Sequence, residues 1–278
     1  MKWIISCVNV TFVKRDSTKI GEVTVPPYFW GPFESFQTIE TSGFDSDHWI
    51  KHSKNIYEDL SNKKVNQNLI IRLLKRIVKI IIGRDFVGPL PHKIIKMIES
   101  GSKTLDIGGG WGDNYYSLLC NGITPKKGRY FVLDNQRQAE FGKTIFNSSD
   151  VNFLTDIPSD EFELILLIGT LQYIENWKSV FETFQNLNSK IVYIARTPFV
   201  RNCDSFCAVQ SITPSTINFK IGEENLNIIS FEEFRSLCKI FKWKIHQVGS
   251  ETNYSTNFSR LPSEYRDVFY QPLILSKM

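Results

Sequence analysis

From residue 103 onward the apolar positions fall into short unbroken runs, and amphipathic stretches of helical period lie between them. Strands covered on both faces read as such runs, and their alternation with helices implies parallel βαβ units. The runs at 104–107, 129–133, 151–154, 162–168 and 190–195 predict five parallel strands. The segments 111–120, 136–146 and 177–187 predict the helices between them. Ser230 with Glu233 three residues on reads as a capping box for a helix running to about Phe241. Runs at 243–248 and 272–275 complete the set. The expectation is an α/β fold, a Rossmann-like doubly wound sheet of seven strands whose last strand is antiparallel.

The rhythm breaks before residue 90. There the chain holds an aromatic, Pro- and Gly-rich stretch (26–36), an acidic loop (45–47) and a basic amphipathic segment (69–82). In that segment Leu69, Ile70, Leu73, Leu74, Ile77, Val78 and Ile81 share one helical face, and Arg72, Lys75, Arg76 and Lys79 share the other. Such a helix either docks on the core with its cations solvated or rests on anionic lipid, and docking is the expectation. Residues 1–90 are therefore expected to form a mainly helical cap or lid, and residues 91–278 the ligand-binding domain. The sequence holds no window of about 20 apolar residues, so no segment is expected to span a membrane. The first 13 residues lack the cleavage site of a signal peptide and read as a strand.

Charge narrows the classes. Thirty-three basic against twenty-nine acidic residues leave +4, dispersed along the chain. With no nucleic-acid motif present, no nucleic-acid partner is expected. Cysteines stand at 7, 120, 203, 207 and 238, and the Cys203/Cys207 pair has no second pair to complete a zinc site. They read as reduced thiols of a cytoplasmic protein, and no metal is expected.

The candidate chemistry begins at Asp106-Ile-Gly108-Gly109-Gly110-Trp-Gly112, at the end of the first parallel strand. Glycines there allow a tight turn and a close backbone approach to a ligand, and the helix that follows offers N–H groups to an anion. The Asp-x-Gly-x-Gly-x-Gly spacing suits an S-adenosylmethionine (SAM) site better than a dinucleotide site, which favours Gly-x-Gly-x-x-Gly. A plain tight turn between strand and helix is the structural alternative.

Ligands of open α/β sheets bind beyond the carboxyl ends of the strands, so the other strand ends are read together. Asp134, followed by Asn135, can accept both ribose hydroxyls; a solvated turn acid is the alternative. Asp156 and the backbone of Ile157 can meet the adenine edge, although Asp-Ile-Pro is also an ordinary turn. Gly169, Gln172 and Tyr173 follow the fourth strand and face the transferring group, Tyr173 serving equally well as a core ring. Arg196 ends the fifth strand and suits a carboxylate, a phosphate or sugar hydroxyls, or else a structural ion pair. The long link 249–271, rich in polar and aromatic residues, is expected on the same face and suits substrate binding.

These residues resemble a known family. Leu105-Asp-Ile-Gly-Gly-Gly-Trp-Gly112, Asp134 and Leu164-Ile-Leu-Leu-Ile-Gly-Thr-Leu-Gln-Tyr173 look like a class I SAM-dependent methyltransferase. More narrowly, Leu171-Gln-Tyr, Arg196-Thr-Pro-Phe199, Val209-Gln210 and Tyr28-Phe-Trp-Gly-Pro-Phe33, followed by Asp45, resemble a methyltransferase family associated with bacterial O-antigen and surface-polysaccharide gene clusters. The likeness covers roughly residues 26–278; the first 25 residues fall outside it. It implies SAM as cofactor and a small-molecule or glycan acceptor. It carries no established general base.

The expectation is therefore a SAM-dependent enzyme that O-methylates a sugar or phosphate group of a surface glycan or its precursor. A hydroxyl acceptor needs a base, for which His48, His52, His92, Asp45, Asp47, Glu175 and Asp204 are candidates. His48, in the cap, leads; a phosphate acceptor needs none, and Arg196 then orients it. The alternatives are a NAD- or nucleotide-sugar-binding Rossmann enzyme and a non-catalytic SAM-binding scaffold.

Overall fold

The computed structural model describes residues 29–39, 44, 47–65, 90–146, 150–212, 222–253 and 258–278. The amphipathic segment 69–82 and the N-terminal strand expected over 1–13 lie outside them.

The apolar runs form a seven-stranded sheet. In chain order its members are β2 (Thr104–Ile107), β3 (Tyr130–Leu133), β4 (Asn152–Leu154), β5 (Leu164–Ile168), β6 (Ile191–Ala195), β10 (Trp243–Gln247) and β13 (Leu273–Lys277). In space the order is β10-β13-β6-β5-β2-β3-β4. Only β13 runs against the rest: it pairs antiparallel with both β6 and β10, whereas every other pairing is parallel. Strand order reverses beside β2 and β5, which places a crevice at their carboxyl ends. The doubly wound architecture and the antiparallel last strand are as the periodicity implies.

Burial follows the two-residue period of a strand. Ile165, Leu167, Val192 and Ile194 enter one apolar cluster with Phe181, Phe184, Phe234 and Trp243. Leu164, Leu166, Ile168, Tyr193 and Ala195 enter the cluster on the opposite face, with Ile94, Ile98, Leu118 and Tyr130. Both faces are covered, which is why these strands read as continuous apolar runs. The covering helices are α2 (His92–Ser100), α3 (Asp113–Cys120), α4 (Gln136–Ile145), α5 (Val180–Asn186) and α6 (Phe231–Ile240). Each large side chain so buried contributes roughly 1.5–3 kcal/mol.

A second sheet departs from the expectation. It orders β1 (Phe29–Phe33), β7 (Pro198–Val200), β8 (Phe206–Ile212), β9 (Gly222–Ser230), β11 (Thr252–Asn253) and β12 (Val268–Tyr270) as β1-β8-β9-β7-β12-β11. The N-terminal region thus supplies a strand, with Phe29 opposite Gln210. The long link 249–271 likewise supplies β11 and β12, which pair with each other and, through β12, with β7. This sheet has its own apolar cluster, including Phe29, Val200, Phe206, Ile228, Phe258 and Leu261. The Phe29 and Phe258 rings stack 4.5 Å apart.

Ser230 corrects the capping-box expectation. Its side chain makes no cap bond. Glu233 instead accepts from the Ser205 N–H at 2.8 Å and pairs with Lys178 at 2.7 Å, while the Ser230 N–H donates to Ser205 Oγ at 2.8 Å. A partner distant in sequence outcompetes the local one.

The remaining helix, α1 (Asp47–Val65), joins the N-terminal strand to the rest. Asp47 pairs with Arg137 of α4, Lys54 lies over the Phe141 ring, and Tyr57 meets Trp111 and Tyr116 edge-on at 5.7 Å. In the same first turn as Asp47, Trp49 packs on Phe44, which packs on Tyr173. The helix therefore lies against α3 and α4, and Phe44 sits between its first turn and the segment after β5.

Candidate active site

The loop after β2 turns at the carboxyl edge of the sheet, where the Gly108 N–H donates to Leu133 O at 2.7 Å and the Asp134 N–H to Leu154 O at 3.1 Å. Three strands therefore end at one level. Gly108 and Gly110 have φ of +69° and +57°, a region closed to most side chains. A Cβ on Gly108 would also fall 2.2 Å from Thr170 Oγ1, so the loop runs hard against the segment leaving β5.

Asp134 stands at the tip of β3, beside the glycine loop. Its Oδ2 accepts from the Gly110 N–H at 2.8 Å and its Oδ1 from the Asn135 N–H at 2.7 Å. The carboxylate bridges the glycine loop and the start of α4, remaining partly exposed beside both. Asn135 caps α4 by accepting from the Gln138 N–H at 3.0 Å, so its side chain is committed to the helix and its backbone faces the edge.

Two expected contacts lie beneath the loop rather than in the cleft. Asp106 is fully buried, accepting from Tyr130 Oη at 3.0 Å and Asn114 Nδ2 at 3.1 Å. Burial, with Asp113 nearby, pushes its carboxyl up to about 7. Gly109 sits directly above it, since a Cβ there would come 2.7 Å from the carboxylate. Gly112 is buried against Phe146 and Phe153 and serves the packing of α3 on the sheet. Asp106 and Gly112 therefore shape the loop from below.

Asp156 and Ile157 stand at the tip of β4, both exposed, Ile157 by 58%. An isoleucine left open at a ligand-facing strand end offers an apolar surface to a flat ring. Gly169 continues β5 with its N–H on Ala195 O at 2.8 Å. Gln172 is buried under the short 3-10 turn Leu171–Tyr173, and its carbonyl accepts from Asn227 Nδ2 at 3.2 Å. Tyr173 donates its hydroxyl to Gln210 Oε1 at 2.7 Å, and burial holds its phenol far above the ordinary range. At neutral pH it is a donor or an orienting group, not a base.

Arg196 closes the ring of strand ends. It follows β6 with φ +59°, a conformation a non-glycine residue holds only where its surroundings enforce it. Its charge acts on Asp113, the first residue of α3, against burial that raises the Asp113 carboxyl to about 6. Sequence reasoning passed over Asp113, although its place directly after Gly112 is a usable signal. It also passed over Asn114 and Tyr130, which have no local signature.

Of the proposed bases, His48 lies in the first turn of α1 and its side chain is outside the described residues. His52, one turn on, is buried beside Trp49 and burial lowers its pKa, which favours the neutral ring. His92, Glu175 and Asp204 are exposed, and Asp47 is engaged with Arg137. Asp45 lies outside the described residues.

No family model matches the chain, and no curated protein does. Several solved structures do. A SAM-dependent methyltransferase from Bacteroides fragilis in complex with S-adenosylhomocysteine is 12% identical over 68% of this chain and 79% of that one, with a TM-score of 0.44. A second, from Clostridium acetobutylicum, is 14% identical over 76% and 99%, with a TM-score of 0.41. The N-terminal domain of EvdMO1 with S-adenosylhomocysteine bound is 9% identical over 67% and 79%, with a TM-score of 0.46. At such distances the chemistry has to come from this chain's own residues.

Proposed function

We propose that the chain is a SAM-dependent methyltransferase that transfers a methyl group to an oxygen of a sugar or phosphate in a surface glycan or its precursor. The observation that carries the cofactor reading is the Asp134–Gly110 bond: a half-buried acid at the tip of β3 grips a glycine loop at the tip of β2. That arrangement fits a ribose between an acid and a backbone that no Cβ obstructs. Gly108, Gly109, Gly110, Asp134, the Asn135 backbone, Asp156, Ile157, Gly169 and Gln172 would hold the cofactor, with Asp106 and Gly112 supporting the loop. SAM supplies an activated methyl carbon. The protein's part is to hold the acceptor oxygen about 3 Å from it and to keep water out. Helix α1, held at its first turn by Arg137 and by Phe44 against Tyr173, would be the cap that does so, and His48 in that turn would be the proton acceptor. Tyr173 orients the acceptor.

The acceptor class rests on the family likeness of Arg196-Thr-Pro-Phe199, Val209-Gln210 and the aromatic segment at 28–33, whose described residues fall in or beside the second sheet. Calorimetric titration with S-adenosylhomocysteine (SAH), repeated in the presence of NADH, tests the cofactor reading. Micromolar binding unaffected by NADH is expected; binding of NADH and not of SAH would replace it with the nucleotide-enzyme alternative. Transfer of labelled methyl groups from SAM to nucleotide sugars and sugar phosphates then tests the acceptor.

A further inference from the structure

The groups that follow β7 and end β10 take no part in the cofactor reading. Strand β10 runs antiparallel to β13, and β13 antiparallel to β6, so Gln247 ends β10 at the same sheet edge as the glycine loop. Two strands, β13 and β6, separate β10 from β5. At the usual strand spacing Gln247 therefore stands about 14 Å from the end of β5 along that edge. Residues 200–202, the start of α6, Gln247, Glu251 and Phe269 line a cavity there of about 520 Å³, within the range of small-molecule sites.

The cavity holds a fixed guanidinium. Arg201 Cζ lies 3.8 Å from the centroid of the Phe269 ring, Nη2 pairs with Glu251, and Nη1 lies 3.5 Å from Asp267 Oδ1. Stacked on a ring and tied through two nitrogens, the planar group keeps one orientation and still has N–H donors to spare among its five. The Arg201 side chain is 40% exposed, so those donors are open to a ligand. On α6, Arg235 lies 3.6 Å from Glu232, and both are exposed. Asn202 and Gln247 add exposed amides, and Phe231 adds a partly exposed ring.

Charge decides the ligand class. Two guanidinium groups stand against the three carboxylates of Glu232, Glu251 and Asp267. A phosphate would meet cations already paired and an excess of negative charge. A neutral sugar meets neither cost: each hydroxyl both donates and accepts, matching the mixed guanidinium, amide and carboxylate lining. The apolar C–H face of a pyranose can pack on the Phe231 ring. We propose that this cavity is a subsite for a neutral sugar unit of the acceptor, distinct from the unit that is methylated. At about 14 Å from the end of β5, a sugar held here stands too far from the cofactor rim to receive a methyl group that must pass over about 3 Å. The subsite's place in the reaction rests on the glycan reading above; its affinity for a sugar does not.

The test follows the amide chemical shifts of the full chain during titration with the methyl glycosides of glucose, galactose, mannose, rhamnose and N-acetylglucosamine. Inorganic phosphate is the anionic control. At least one glycoside is expected to shift residues 200–202, 230–235 and 247–251 with a millimolar Kd, and phosphate to leave them unmoved. Arg201→Gln and Gln247→Ala should each weaken that glycoside about fivefold to tenfold. Should Arg201→Gln fail to fold, Gln247→Ala, which alters one exposed side chain, carries the decision. No shift at these residues with any glycoside at about 50 mM, far above a millimolar Kd, overturns the subsite. A response to phosphate in place of the glycosides overturns it too, in favour of an anion site. Glycoside shifts confined to residues 44–52 and 171–173 overturn it while leaving a glycan acceptor at the methylation site. SAH titrated into the same samples reads the cofactor proposal separately: sugar binding here without SAH binding leaves the subsite standing and removes the methyltransferase reading.

Discussion

In the seven-stranded sheet, β2, β3, β4, β5 and β6 follow one another along the chain and lie near one another in space, each joined to the next by one helix or a short loop. In the six-stranded sheet, Phe29 faces Gln210, Phe199 faces both Ile229 and Phe269, and Asn225 holds Gln37 by two hydrogen bonds. The first sheet carries a buried acid, a strained loop and an open rim. The second carries an apolar cluster of its own and the amides Asn225 and Asn227, which bond to partners distant in sequence. The contrast suggests a division of labour: the first sheet presents the groups suited to a cofactor, and the second braces the segments that an acceptor would meet.

Substitutions can break or sharpen that contrast. The largest effect is expected at Asp106, beneath the loop. Its folded pKa of about 7 lies above the ordinary carboxylate value. Its contribution to stability is therefore fully present below about pH 4 and is lost as pH rises through about 7. Asp106→Asn should remove that slope and stabilise the free protein at pH 8, by as much as about 4 kcal/mol from a shift of roughly three units. Urea unfolding of both proteins at pH 5 and pH 8 decides it; an unchanged slope would mean the acid is ionised and compensated.

Next comes the tie between the sheets. Asn227 Nδ2 donates to the carbonyls of Gln172 and Ile174 at 3.2 and 2.9 Å, joining β9 to the turn after β5. Asn227→Leu leaves both carbonyls without that donor and should cost about 2 kcal/mol in urea unfolding. Hydrogen exchange should accelerate first in residues 206–212 and 222–230, with the glycine loop little changed. If the loop loosens equally, the two sheets are one cooperative unit and the division of labour is wrong.

Tyr173→Phe removes the single bond to Gln210 and should cost about 1 kcal/mol. It should leave SAH affinity within about twofold, because the hydroxyl points to the second sheet rather than to the cofactor rim. Smallest of all is Asp47→Ala. The ion pair with Arg137 is exposed on both sides, so the loss should stay below about 0.5 kcal/mol in thermal unfolding.

The same contrast explains what could be read from the sequence. Leu164–Ile168 is buried on both faces and so appears as an unbroken apolar run; its neighbours announce themselves similarly. The glycine loop is legible because a tight turn against Thr170 and Asp134 demands glycine locally. The second sheet is illegible for the converse reason. Its strands alternate irregularly, and Phe29 gains its meaning only from Phe258 and β8. Ser230 and Glu233 carry a local signature that Ser205 overrides from a distance. Asp106 shows that a motif position and a ligand contact are different things. The sequence marks the residue, but only its bonds to Tyr130 and Asn114 show that it supports the loop from below.

Hydrogen–deuterium exchange of the full chain with and without saturating SAH tests the central claim most directly. Protection is predicted at residues 107–114, 133–138 and 168–172, the three strand ends that meet at the glycine loop, with 206–212 and 222–230 unchanged. Protection confined to the second sheet, or none at any of these strand ends, would contradict the account.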